Sequence, residues 1–260
     1  VFHLAAQALV KKSYLKPRET FQTNTLGTLN LLHASKYSKK LKSIVLITSD
    51  KVYENIEIKR GYRENDRLMG KDPYSASKSG AEIVINMFIN SFKKKNTQIV
   101  IFRAGNVIGG GDWAKNRIIP DIIKSIKNKK KILIRNPLAT RPWQHVLEPI
   151  SSYLYIGSLL MKKKYKYIDN EAFNIGPKKN VNKKVSEVLK EMKIYFPNLE
   201  FKLNRNNAFK ESTLLRLNCS KVSKLTGWKP ILNFKKSINY TAAWYKAYYH
   251  NENTLSITIN

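Results

Sequence analysis

Ser43-Ile44-Val45-Leu46-Ile47-Thr48-Ser49-Asp50-Lys51 begins as a continuous apolar run and ends in four polar residues. A strand wetted on one face alternates apolar and polar positions, whereas an unbroken run over 43–48 reads as a parallel strand buried on both faces. Working outward, a helix is expected over 17–37. Before it comes a short apolar strand at the start of the chain, running into the small-residue turn Ala5-Ala6. Downstream, a loop over 54–72 leads to Pro73, which can start a helix reaching to about 92. Another buried strand covers 97–102. Strand, helix, strand, helix, strand predicts an α/β fold with a doubly wound, parallel, Rossmann-type sheet.

The second half differs. It predicts a loop at Gly109-Gly110-Gly111, a helix over 117–128 interrupted early by Pro120, and a short strand over 132–135. An amphipathic helix over 148–163 and a strand over 172–175 follow. Then come a helix over 183–196, a strand over 200–204 and a helix over 220–226, closed by Trp228-Lys229-Pro230. The last helix spans 234–249. The expected division is a first domain at 1–116, with 145–178 returning to it. A smaller mixed α/β domain takes 117–144 and 179–260.

Composition narrows the function. The chain has 260 residues, 42% of them hydrophobic, enough for a sizeable core. No run of eighteen apolar residues suggests a membrane span, and no signal-peptide pattern is visible. One cysteine, Cys219, cannot form an internal disulfide, which fits a reducing cytoplasm. Four His and one Cys show no metal-ligand spacing, so no metal site is expected. No Gly-x-Ser-x-Gly turn points to a hydrolase. The formal charge of +30 invites a nucleic-acid reading. The lysines are scattered in short runs such as Lys93-Lys94-Lys95 and Lys129-Lys130-Lys131, at expected helix ends where cations offset the helix dipole. That favours a solvated basic surface, and no nucleic-acid partner is expected.

Tyr74-Ser75-Ala76-Ser77-Lys78 carries the chemistry. Tyr and Lys four apart on a helix share a face, and an ammonium beside a phenol favours the phenolate, a base for alcohol oxidation. With 14 Tyr and 48 Lys+Arg in the chain, about two to three such pairs arise by chance. Tyr14 and Arg18 make one. The surroundings of Tyr74 are therefore what counts.

Those surroundings are His3-Leu4-Ala5-Ala6-Gln7, Asn24 with Gly27-Thr28, Thr48-Ser49-Asp50-Lys51 and Arg103-Ala104-Gly105-Asn106. In this order they resemble the extended short-chain dehydrogenase/reductases. Three further stretches resemble the CDP-glucose 4,6-dehydratases: Gly109-Gly110-Gly111-Asp112-Trp113, Arg135-Asn136-Pro137, and Thr140-Arg141-Pro142-Trp143-Gln144-His145. Leu225-Thr226-Gly227-Trp228-Lys229-Pro230 is similar to a segment near the C-terminus of the wider family. One departure stands out. The family's Gly-rich turn, which holds a pyrophosphate at a helix N-terminus, has no counterpart here, so the first βα units are expected to be missing from this sequence.

The resemblance implies NAD-dependent loss of water from CDP-glucose, a nucleotide-sugar substrate, in making deoxysugars for a bacterial surface polysaccharide. Tyr74 would deprotonate the 4-hydroxyl, Lys78 would sustain the phenolate and hold the nicotinamide ribose, and Ser49 would hydrogen-bond the 4-hydroxyl. Asp50 is the implied acid for the departing 6-hydroxyl. Lys51 stands where related enzymes carry a Glu base, and either serves as the carbon-5 base or pairs with Asp50. Ala5, Ala6, Gln7 and Asn24 are implied at the NAD site. Asn106, Arg117, Arg135, Arg141 and His145 are candidates for the nucleotide and its diphosphate, since the guanidinium fork suits phosphate oxygens. Trp143 is left between stacking on the base and core packing. The resemblance also implies a homodimer formed by the helices over 17–37 and 73–92, where Ala81, Ile85, Phe88 and Phe92 could face a partner or the sheet. The alternatives are a 4-epimerase of the same fold, disfavoured by the Asp50-Lys51 pair, and a non-catalytic binding protein.

Overall fold

The computed structural model describes residues 1–94, 96–134, 136–178, 182–203 and 214–259, with the backbone alone at Lys163. In chain order the elements are β1 (Phe2–His3), α1 (Val10–Leu15), α2 (Pro17–Phe21), α3 (Gly27–Ser35), β2 (Ser43–Ile47), α4 (Pro73–Ser91) and β3 (Gln98–Ala104). Then follow β4 (Val107–Ile108), α5 (Ile118–Lys127), β5 (Ile132–Ile134), β6 (Thr140–Pro142), β7 (Gln144–His145), α6 (Leu147–Leu160) and β8 (Ala172–Ile175). The remainder is β9 (Asn182–Lys184), α7 (Val185–Tyr195), β10 (Phe201–Leu203), α8 (Ser220–Thr226), α9 (Phe234–Tyr249) and α10 (Thr254–Ile259).

The chain divides into two compact units. Unit 1 comprises Val1–Gly105, Pro149–Gly176 and Leu217–Lys229; unit 2 comprises Asn106–Glu148, Pro177–Arg216 and Pro230–Asn260. This differs from the expected division at four places, the smallest being residues 177–178, which fall in unit 2. Residues 106–116 and 145–148 fall in unit 2, because β4 pairs with β7 there. Residues 217–229 fall in unit 1, because Val222 and Trp228 pack into its core.

Unit 1 is built on a parallel four-stranded sheet in the order β1-β2-β3-β8. The apolar run at 44–47 is unbroken because both faces are covered. Ile44 and Leu46, with Ile99 and Ile101 of β3, pack against Leu32 of α3 and Ile85 and Phe88 of α4. Val45, with Val100 and Phe102, packs against Tyr153, Ile156 and Leu159 of α6. Helices on both faces make this a doubly wound sheet, the fold class expected. Truncating one of these residues, Leu46→Ala for instance, would cost about 2–5 kcal/mol. Ala81, Ile85 and Phe88 are buried and the latter two lie against the sheet, while Phe92 is exposed.

Three local expectations change. The helix over 17–37 is not uniform: a π-helical turn at Gln22–Leu26 joins α2 to α3. Pro120 does not interrupt α5, because it is the third residue of the helix, where no intrahelical N–H bond is lost. Gly227 caps α8 in the left-handed region at φ 77°, which explains the glycine before Trp228.

Unit 2 gathers Ile119, Ile122 and Ile123 of α5, Val188, Leu189 and Met192 of α7, and Ile238, Ala242 and Tyr245 of α9 in one core. Trp143 belongs to that core and donates its ring N–H to Lys183 O at 2.9 Å, which decides between packing and base stacking in favour of packing. Among the described residues no helix is long and apolar enough to cross a membrane, and no three His, Cys, Asp or Glu side chains converge as a metal site would require.

Candidate active site

In unit 1 the residues of two sequence motifs meet. Asp72 caps α4, accepting from Tyr74 N and Ser75 N at 3.0 Å, with Pro73 at the first helical position. That cap fixes where the helix starts and hence where Tyr74 sits, one turn before Lys78. Both are buried. Lys78 Nζ donates to Ile47 O, the last residue of β2, at 3.3 Å. Burial pushes the Lys78 ammonium down to about 8, against the upward pull of Glu82. Lys78 therefore remains mainly a cation at neutral pH, within reach of titration.

Beyond β2 the chain enters a 3-10 turn at Asp50–Val52. Ser49 caps it: its Oγ accepts from Lys51 N and donates to Asp50 Oδ1, each at 3.2 Å. Asp50 is only 3% exposed. Lys51 Nζ lies 6.0 Å from the centroid of the Tyr74 ring. Ser49, Asp50, Lys51, Tyr74 and Lys78 thus form one cluster at the carboxyl end of β2, the edge at which open α/β sheets bind ligands.

The turn after β1 is tied to the same cluster. Gln7 N donates to Asn24 Oδ1 at 2.8 Å, and Asn24 Nδ2 donates to Gln7 O at 3.0 Å and to Ser77 Oγ at 2.9 Å. Asn24 occupies the π-helical turn, a feature that often marks functional sites. The Gln7 side chain turns inward, with Nε2 donating to Thr20 Oγ1 and Oε1 accepting from Leu9 N. Gln7 holds the turn, while Ala5 and Ala6 offer main chain with little bulk. The His3 Nε2 lies 3.3 Å from Thr28 Oγ1. Burial, and then the Lys78 charge, hold the imidazole below its ordinary value, so it is neutral near pH 7.

Unit 2 holds the remaining described candidates. Arg141 is buried on β6, where Nη1 donates to Thr140 O at 2.9 Å. His145, on β7, accepts from Leu147 N at 3.4 Å and meets Tyr240 edge-on at 5.8 Å. Burial pushes His145 down to about 4. Asn106 O accepts from Gln144 N at 2.9 Å, which brings Asn106 beside β7. Arg117 is exposed and its Nη1 lies 3.0 Å from Asp112 Oδ2. Arg135 lies outside the described residues. The glycine loop is pinned by α9: a Cβ on Gly110 would meet Trp244 Cγ at 2.0 Å, Tyr245 OH donates to Asp112 O at 2.6 Å, and Trp113 packs on Tyr245 and Tyr248.

Sequence reasoning assigned no role to four buried polar residues around the unit 1 cluster: Tyr53, Glu82, Arg103 and Asn174. A signal existed for two of them. Glu82 falls four residues after Lys78 amid the apolar positions Ala81 and Ile85, and Arg103 is the one charge in a strand buried on both faces.

Comparison with known proteins follows the geometry. The family model described as GDP-mannose 4,6 dehydratase matches residues 1–241. The chain is 42% identical to a CDP-glucose 4,6-dehydratase of Salmonella typhimurium, over 98% of this chain and 72% of that protein. It is 25% identical to a human dTDP-D-glucose 4,6-dehydratase, over 96% of this chain and 69% of that one. Among solved structures it resembles a UDP-glucuronic acid 4-epimerase from Bacillus cereus in complex with UDP-glucuronic acid and NAD (TM-score 0.82, 22% identity, 95% of this chain and 75% of that one). It also resembles a dTDP-glucose 4,6-dehydratase from Bacillus anthracis in complex with NAD (TM-score 0.76, 21% identity, 96% and 73%). The chain belongs to the nucleotide-sugar 4,6-dehydratase family of the extended short-chain dehydrogenase/reductases.

Proposed function

We propose that the protein is an NAD-dependent hydro-lyase that converts CDP-glucose to CDP-4-keto-6-deoxyglucose. The observation that carries this is the unit 1 cluster, which joins an oxidation pair (Tyr74, Lys78) to an elimination pair (Asp50, Lys51). The 42% relative supports CDP as the nucleotide.

The residues fit a nicotinamide nucleotide: Ala5 and Ala6 keep the β1 turn free of bulk, and Lys78 is a buried cation at the carboxyl end of the sheet. The chemistry NAD supplies when bound is acceptance of hydride from carbon 4 and its return to carbon 6. Tyr74, as phenolate, takes the proton of the 4-hydroxyl, and the Lys78 ammonium stabilises that phenolate. Ser49 orients the 4-hydroxyl. The resulting 4-keto group acidifies carbon 5. Lys51, when neutral, takes the carbon-5 proton, and Asp50, when protonated, gives its proton to the departing 6-hydroxyl, so that water leaves across carbons 5 and 6; the Lys51 ammonium then gives a proton back to carbon 5 as carbon 6 is reduced. The Asp50 side chain is buried beside the Ser49 hydroxyl, next in the chain to Lys51. Arg141, Arg117 and Arg135 hold the diphosphate, and Asn106 and His145 the sugar nucleotide. A neutral His145 contributes a hydrogen bond and no charge.

The same reading places the enzyme in the cytoplasm, supplying deoxysugar for a cell-surface polysaccharide such as lipopolysaccharide, with no nucleic-acid or membrane partner. It forms a homodimer through α2–α3 and α4. Ile83, at 63% exposure, and Met87 project from the face of α4 turned away from the sheet, which supports that interface.

The test is incubation of the purified protein with NAD+ and CDP-glucose, with dTDP-glucose and UDP-glucose in parallel, following the 4-keto-6-deoxy product by NMR. Turnover of CDP-glucose is expected. Turnover of another nucleotide alone removes the CDP assignment, CDP-galactose as product makes the protein a 4-epimerase, and no conversion of any sugar nucleotide overturns the enzyme reading.

A further inference from the structure

A buried charged network surrounds the Ser49-Asp50-Lys51 segment. Arg103 of β3 donates from Nε to Glu82 Oε1 at 2.8 Å and from Nη2 to Glu82 Oε2 at 2.5 Å, a two-point contact. Its Nη1 donates to Tyr53 OH at 2.8 Å and to Glu64 O at 2.7 Å. Glu82 Oε1 also accepts from Thr48 Oγ1 at 2.7 Å, and Tyr53 OH donates to Asn174 Oδ1 of β8 at 2.6 Å. The side chains of Arg103 and Glu82 are 4% and 0% exposed.

The placement is informative. Thr48 and Tyr53 flank Ser49-Asp50-Lys51 on either side, and both are bound into the network. Glu82 stands one turn beyond Lys78 and two beyond Tyr74 on the same helix. One guanidinium therefore connects the segment bearing the elimination pair to the helix bearing the oxidation pair. Stability alone does not account for the device, because a buried ion pair is commonly matched or exceeded by apolar residues of the same volume. What a planar guanidinium adds is direction: its donors leave in one plane at set angles. Two proton-transfer pairs acting on neighbouring carbons of one sugar ring need their spacing held, since a displacement of about 1 Å can cost about 10²-fold in rate.

We propose that Arg103 and Glu82 are positioning residues that hold Asp50 and Lys51 in register with Tyr74 and Lys78, so that oxidation at carbon 4 is followed by loss of water. The inference rests on the dehydratase reading. It assigns the network to the step that couples the two pairs rather than to either pair alone.

The experiment compares Arg103→Lys, Glu82→Gln and Tyr53→Phe with the wild type in single turnover with CDP-glucose and NAD+. NADH absorbance reports the first hydride transfer and NMR reports the dehydrated sugar. For Arg103→Lys and Glu82→Gln, dehydration is expected to fall about 100-fold and the first transfer less than about tenfold, so that NADH accumulates. Tyr53→Phe keeps the ring and is expected to give the same imbalance, smaller. A merely structural role predicts that both steps fall together with the folded fraction, and that outcome, or no change in either step, overturns the proposal. If the charged variants do not fold, Tyr53→Phe decides. A second readout needs no ligand: amide hydrogen exchange in the peptide over 48–53 is expected to be faster in Glu82→Gln and Tyr53→Phe, and unchanged exchange also overturns the proposal. A wild type that turns over no sugar nucleotide defeats the dehydratase reading, while the exchange result still reports whether the network holds the segment.

Discussion

The two units hold their candidate residues by different physics. Unit 1 fixes its cluster with directional polar bonds: an Asp72 cap, an Asn24 bridge, and a guanidinium shared among Glu82, Tyr53 and Glu64. Unit 2 fixes its glycine loop with rings, as Trp244, Tyr245 and Tyr248 of α9 close on Gly110 and Trp113. Hydrogen bonds set angles as well as distances, which proton transfer demands. Ring packing sets shape and excludes water, which suits recognition. On the proposed function, the contrast is that of a site for chemistry and a site for binding.

The largest test of that contrast removes one hydroxyl. Tyr74→Phe is expected to lower turnover by about 10²–10⁴-fold with KM little changed, since general-base catalysis is worth that much. Steady-state kinetics with CDP-glucose would show it, and a rise in KM at constant kcat would put Tyr74 in binding.

Each unit also buries a group whose charged form burial disfavours, and the pH windows differ. Lys78 drops from 10.5 to about 8 on folding. Its burial penalty is therefore full below pH 8 and relieved as pH rises from 8 to 10.5, a difference of about 3 kcal/mol. Lys78→Met is expected to abolish activity yet raise stability at pH 7, with the gain shrinking above pH 8 in denaturant titrations. His145 drops from 6.5 to about 4. Its neutral form keeps stability intact above pH 6.5, and about 3 kcal/mol is lost as pH falls from 6.5 to 4. His145→Gln is expected to flatten that acid limb. An unchanged limb would mean that His145 is solvated, and would weaken the picture of unit 2 as a dry binding surface.

Smaller effects probe the rings. Gly110→Ala overlaps Trp244 and is expected to cost about 1–3 kcal/mol by overpacking. Tyr245→Phe, which removes only the bond to Asp112 O, should cost about 1 kcal/mol. Both should raise KM more than they lower kcat if the loop serves binding. A selective fall in kcat from either would erase the distinction between the units.

Much of unit 1 was legible in the sequence because its signals are local. The run at 44–47 announces a strand covered on both faces, Pro73 announces a helix start, and Tyr74 with Lys78 follows from helical spacing. Unit 2 was less legible: the strands β5 and β10 were expected, but β4, β6, β7 and β9 were not, because they are two or three residues long and pair over long separations, β4 with β7 and β6 with β9. No periodicity can develop over such lengths. The helix over 117–128 was placed correctly, but Pro120 was misjudged because a proline in a first turn resembles a breaker in sequence. The Arg103 network was hidden for another reason. Its members come from five segments between residues 48 and 174, and only folding makes them neighbours.

The π-helical turn at Gln22–Leu26 has a consequence for chain length. Such a turn amounts to one surplus residue accommodated inside a helix. Shortening the segment by one, by deleting Thr23 or Thr25, would restore ordinary winding with the flanking turns facing as before, and would swing the residues between them about the helix axis. Leu32 would stay against the sheet, while Asn24 would leave Gln7 and Ser77. A deletion that tidies the helix would therefore uncouple the β1 turn from α4. At this one place the protein tolerates an irregular count because the regular one would point the asparagine elsewhere.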